Sequence, residues 1–171
     1  MLQENAPIVR RFLRAHLGSR QVARVIYGAI IGLALVVALE AHPPAPHAVI
    51  ATLLGTTVAV ALAELYSELV GFETVRRRKA GREERRDLYG DMAAVSFGIA
   101  FPTVFFVLAA ADVLSDDAAF TVAKWAGLGL IGLYGFAGDR LSGAGLRASV
   151  LQATAVALIG AALIGLKAVV H

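Results

Sequence analysis

The stretch Val49–Gly71, VIATLLGTTVAVALAELYSELVG, has the length and apolarity of a bilayer-spanning helix, yet it sets two carboxylates, Glu64 and Glu68, inside the run Ala63-Glu64-Leu65-Tyr66-Ser67-Glu68-Leu69. On an α-helix the four-residue spacing stacks Glu64 over Glu68 on one face, with Ser67 beside them and Tyr66 pointing elsewhere. A charged group at the centre of a membrane helix costs roughly 2.5 to 3.5 kcal/mol on insertion scales, so each acid needs a counter-charge, water, a proton or a cation. Two readings follow. Either the pair is an ion or proton site, or it is neutralised structurally by headgroups or by the arginines that follow the segment.

The rest of the chain reads as membrane protein. Of the 171 residues, 58% are hydrophobic and only 17% charged, against the quarter usual in a soluble domain. Four further stretches approach spanning length: Val22 to Ala41, Met92 to Val113, Phe120 to Ala137 and Ala148 to Val170. The expected fold is thus an all-α integral membrane protein of five transmembrane helices. Residues 1–21 form a basic, amphipathic leader on the membrane surface, and residues 22–171 a single membrane domain with a linker at 74–90. The first apolar stretch reads as a retained helix, since its polar leader is long and no small-x-small cleavage pattern follows it.

Lys and Arg give the orientation. Arg10, Arg11, Arg14, Arg20 and Arg24 precede the first helix, and Arg76, Arg77, Arg78, Lys79, Arg82, Arg85 and Arg86 follow the second. Neither the turn His42-Pro43-Pro44-Ala45-Pro46-His47 nor the acidic turn with Asp112, Asp116 and Asp117 carries any Lys or Arg. The predicted topology is N-in and C-out, with a short basic cytoplasmic linker between helices two and three. The basic segments are expected to meet anionic lipid headgroups rather than nucleic acid, because they are short, juxtamembrane and interspersed with Glu83, Glu84 and Asp87. The Ala-, Gly-, Val- and Arg-rich composition suggests a bacterial plasma membrane.

Small residues mark packing faces. Gly28 and Gly32 make a GxxxG on the first helix, and Ala153, Ala157, Ala161 and Gly165 a stripe on the fifth, the pattern that brings membrane helices close; they read as intramolecular contact or dimerisation faces rather than ligand sites, and a homodimer is expected. Pro102 interrupts the third helix and frees a carbonyl near Gly98. Lys124 lies about one turn inside the fourth helix, where it is expected to snorkel to the surface or meet Glu40 or Asp112. His42 and His47 flank the proline turn and read as solvated, with loose metal binding as the alternative.

The chemistry available is oxygen chemistry. The chain has no cysteine, so disulfides, thiolate metal sites and cysteine nucleophiles are excluded. It has no P-loop, GxGxxG, HExxH or nucleophile motif, so an enzyme is not expected and no cofactor is implied. Carboxylates suit Mg²⁺, Mn²⁺ or Ca²⁺ and tolerate Fe²⁺. Two adjacent carboxylates in a low dielectric share a proton, and an incoming cation would expel it.

Ala63-Glu64-Leu65 leading through Ser67 to Gly71-Phe72-Glu73, together with Gly98-Ile99-Ala100-Phe101-Pro102 and Gly138-Asp139-Arg140-Leu141-Ser142-Gly143, resembles the vacuolar iron transporter family. The resemblance implies a five-span homodimer that exchanges Fe²⁺ or Mn²⁺ for protons. It also implies that Glu64 and Glu73 act as metal-handling acids, with Glu68 standing where that family has a methionine. The chain departs from the family in two further places. Tyr27-Gly28 occupies the position of an intramembrane Asp-Gly, and the insert is basic and too short for a metal-capture domain. Two functions are therefore expected: a secondary transporter of a divalent metal using Glu64, Glu68 and Glu73, or a non-transporting scaffold or regulator that keeps the fold.

Overall fold

The computed structural model describes residues 19–141 and a scatter of residues between 145 and 165, and all its regular structure is α-helical. In chain order the helices are α1 (Ser19–Leu39), α2 (Pro46–Arg76), α3 (Arg82–Ala100), α4 (Thr103–Ala110) and α5 (Asp116–Leu141). Three of them, α1, α2 and α5, are long and apolar enough to cross a membrane; α3 and α4, bent by 45° at their junction, add a fourth only if the pair forms one broken span rather than a re-entrant loop. The chain is thus a membrane-type helical bundle. The expected leader lies outside the described residues except for 19–21, which are the first turn of α1. The fifth expected span, Ala148 to Val170, lies largely outside them.

Each boundary has a local cause. Pro46 starts α2 at a position where its missing N–H costs nothing. Arg77 ends that helix in the left-handed conformation, with φ of 51°. The bend between α3 and α4 falls at Phe101 and Pro102, as the proline requires, since it has no N–H to offer the Gly98 carbonyl. The expected linker at 74–90 is mostly helix. Only residues 77–81 lie outside α2 and α3, because the charges beyond Arg82 alternate in sign and support a solvated first turn with Glu83 and Glu84 at its N-terminus.

Helix α1 is the centre of the bundle, packing closely on both α3 and α5. Val22, Val25, Ala29, Leu33 and Val36 are all buried along it. Its tightest contact is backbone on backbone: a Cβ built on Gly98 would stand 2.5 Å from both the Ala29 nitrogen and the Val25 carbonyl oxygen. Gly28 and Gly32 receive α3 from the other side, a Cβ on Gly32 falling 3.0 Å from the Ile99 oxygen. The GxxxG is therefore an intramolecular face. At the far end of the bundle, Val36, Val49, Leu53, Phe106, Ala109 and Phe120 close a core joining α1, α2, α4 and α5. In it Phe106 and Phe120 meet edge to face with centroids 4.8 Å apart.

Helix α2 is peripheral. Val49, Leu53 and Ala61 face inward, while Leu54, Val58, Leu62, Tyr66 and Val70 are exposed. An apolar helix with an apolar outer surface is matched to lipid rather than water. It rests on α3 and α4, and its backbone meets that of α1 at few points although a short turn joins the two.

The crossing of α1 on α3 makes a prediction. Gly98→Ala should lower stability in detergent by about 1 to 3 kcal/mol, because the new methyl meets backbone that cannot rotate away. Gly55→Ala, where nothing lies within 4 Å, should leave the melting temperature unchanged or slightly raised. Thermal melts of the two variants side by side check this.

Candidate functional site

The two acids of α2 meet one base. Arg24 of α1 reaches across the gap between the helices and places Nη1 on Glu64 Oε1 and Nη2 on Glu68 Oε1. The geometry follows from the local sequence: the four-residue spacing presents both carboxylates on one side of α2, and the planar guanidinium offers two nitrogens in a fork that spans them. The three side chains are partly shielded, with exposures between 16 and 28%. One guanidinium thus serves two carboxylates. Arg24 thus supplies the counter-charge that the sequence demanded, from a helix 44 residues away rather than from the arginines that follow α2.

Ser67 and Glu73 stand apart from this cluster. The Ser67 hydroxyl donates to the Glu64 backbone carbonyl at 3.1 Å, within its own helix. Glu73 accepts from Lys79 Nζ at 3.1 Å across the turn that follows α2. Of the three acids named as metal-handling, two are therefore brought together and the third is not. Among the described residues, no group of three or more His, Asp or Glu side chains converges as a metal site would.

A cleft of about 490 Å³ opens beside the cluster at the arginine-rich end, lined by Ser67, Glu68, Gly71, Phe72, Val75 and Arg76 of α2 and by Glu84, Asp87 and Leu88 of α3. Glu68 belongs to both cluster and cleft. The wall is braced by Arg78, which donates to Glu84 Oε1 at 2.5 Å and lies over the Phe72 ring, 5.1 Å from its centroid.

Three buried polar residues escaped the sequence reading: Asp91, Thr103 and Ser149, the last donating to the Gly145 carbonyl within its own turn. Asp91, only 4% exposed, is buried in α3 near the level where Gly90 faces Gln21 of α1. It stands one position before the apolar stretch that begins at Met92, so a hydropathy reading leaves it in the solvated linker. Thr103, at 8% exposure, has a buried hydroxyl without a hydrogen-bond partner among the described residues, just beyond the bend at Pro102. At the opposite end of the bundle, Lys124 Nζ donates to Glu40 Oε1 at 2.6 Å, one of the two partners expected for it. His42 and His47 are both exposed, as solvated histidines are.

No known protein family, curated protein or solved structure matches the chain.

The sharing of Arg24 sets the direction of three mutations. Glu64→Gln or Glu68→Gln leaves the guanidinium on the remaining carboxylate, so either should be tolerated, within about 1 kcal/mol of the parent. Arg24→Gln takes the shared guanidinium from both carboxylates and should cost up to about 3 kcal/mol, the scale of a broken buried pair. Melting temperatures in detergent give the order; a cost at Glu64 or Glu68 equal to that at Arg24 would contradict it.

Proposed function

We propose that this chain is a small membrane carrier that exchanges a divalent metal cation for protons at the Arg24–Glu64–Glu68 cluster. The observation that supports the reading is that two carboxylates, four residues apart on an apolar helix, share one guanidinium. Adjacent carboxylates of this kind favour a shared proton. A divalent cation arriving between them has to compete with both that proton and the arginine's hold. That competition is the elementary step of an exchanger. Iron and manganese are the substrates implied by the resemblance to the vacuolar iron transporters, and oxygen ligands accept both. With no third acid or imidazole beside the pair among the described residues, the ion would stay largely hydrated.

The proposal includes the finer topology: five spans with the N-terminus in and the C-terminus out, in a bacterial plasma membrane. The working unit is a homodimer associating through small-residue faces, with Ala153, Ala157, Ala161 and Gly165 as the candidate stripe, since Gly28 and Gly32 are spent on α3. Glu73, held by the exposed Lys79, is a peripheral acid in this scheme rather than a ligand of the central pair.

A second reading has its own support. Arg24 already supplies a counter-charge to both carboxylates, which is what a non-transporting scaffold would retain. Flux separates the two. In proteoliposomes with Mn²⁺, Fe²⁺ and a trapped pH dye, the carrier should couple metal influx to proton efflux, and Glu64→Gln should abolish both while remaining folded. An intact protein that moves neither metal nor protons under any gradient would establish the scaffold reading. Stability alone does not separate them, because Glu64→Gln leaves Arg24 paired with Glu68 under either.

A further inference from the structure

We infer that the cleft between the end of α2 and the start of α3 is a binding site for the headgroup of phosphatidylethanolamine, with its phosphate on Arg76 and its ammonium on Asp87. Depth is the first argument. The 31 residues of α2 extend about 46 Å at 1.5 Å per residue, well beyond a hydrocarbon layer of about 30 Å. Counted from Pro46, the last ten or so residues stand at headgroup level, and it is these, Ser67 to Arg76, that line the cleft.

Charge is the second argument. Of the four charged groups that line the cleft, Glu68 is held by Arg24 and Glu84 by Arg78. Arg76 and Asp87 have neither a hydrogen-bond nor an ion-pair partner among the described residues, and they do not close on each other. Two uncommitted charges of opposite sign facing one cleft match a ligand that carries both signs. An anionic headgroup would satisfy Arg76 but would meet Asp87, Glu84 and Glu68 with nothing to offer them. A choline headgroup carries the positive charge without an N–H to donate, whereas ethanolamine presents three donors to a carboxylate.

The apolar parts complete the site. Phe72, Val75 and Leu88 give the cleft a wall for the glycerol carbons, and its volume of about 490 Å³ lies in the range of small-molecule sites. Arg76 lies about 12 Å along α2 from Glu68, so the headgroup sits at the mouth and the site does not depend on the cation reading.

The test uses the full chain in detergent micelles, with native mass spectrometry and thermal melts after addition of phosphatidylethanolamine, phosphatidylcholine or phosphatidylglycerol of matched acyl chains. Phosphatidylethanolamine should be retained as a single adduct and bind at least tenfold more tightly than the other two. Asp87→Asn and Arg76→Gln, both at exposed positions, should each reduce that affinity about tenfold and erase the headgroup preference, while Glu83→Gln, outside the cleft, should not. Equal binding of the three lipids, or a preference that survives Asp87→Asn, would overturn the assignment. Soluble glycerophosphoethanolamine should bind far more weakly than the lipid; binding of the same strength would overturn the membrane as its source.

Discussion

Everything in this bundle hangs on the contact in which α3 lies against α1 with glycine on both sides. Gly98 is set against the Val25 to Ala29 backbone, and Gly28 and Gly32 accept the main chain of α3 in return. Membrane helices gain little from burying apolar surface against one another, since lipid offers the same, so close backbone packing has to hold them. The crossing brings α1 into the middle. It also commits α3, the proline bend and α4 to one side, and the bend lets Phe106 reach Phe120 in the core at the far end.

The position of α2 is the complement of that crossing. Excluded from close contact with α1, it leans on α3 and α4 and shows an apolar outer face. The gap that remains is too wide for short side chains, and Arg24 is long enough to cross it. This is why an arginine rather than a lysine suits the place: its planar fork addresses two carboxylates at once, and it stays charged in a low dielectric. The contact is both a tether between α1 and α2 and the electrostatic centre of the molecule.

Charges within the bundle follow one rule. Glu64 and Glu68 share Arg24, Glu40 takes Lys124, and Glu73 takes Lys79, so acids at or near membrane depth are met by bases from another helix or from the adjoining turn. In the first of these one guanidinium serves two carboxylates, which sets the Arg24 cluster apart from the one-to-one pairs. The cleft at headgroup level is a different kind of site, governed by Arg76 and Asp87, which the fold leaves uncommitted.

The sequence by itself determined the all-helical membrane class, the four described apolar stretches, the break at Pro102 and the shared face of Glu64 and Glu68. It also narrowed the partners of Lys124 to Glu40, Asp112 or the surface. All of these rest on length, hydropathy, i to i+4 spacing or the chemistry of a single residue, which are local properties of the chain. Only the tertiary structure decided that Arg24 belongs to Glu64 and Glu68, that Glu73 does not join them, and that Asp91 is buried. Arg24 reads in sequence as one more flanking charge, and its partnership depends on the relative depth of α1 and α2. That depth is set neither by the turn between them nor by any periodicity, but by how closely three glycines let α1 and α3 approach.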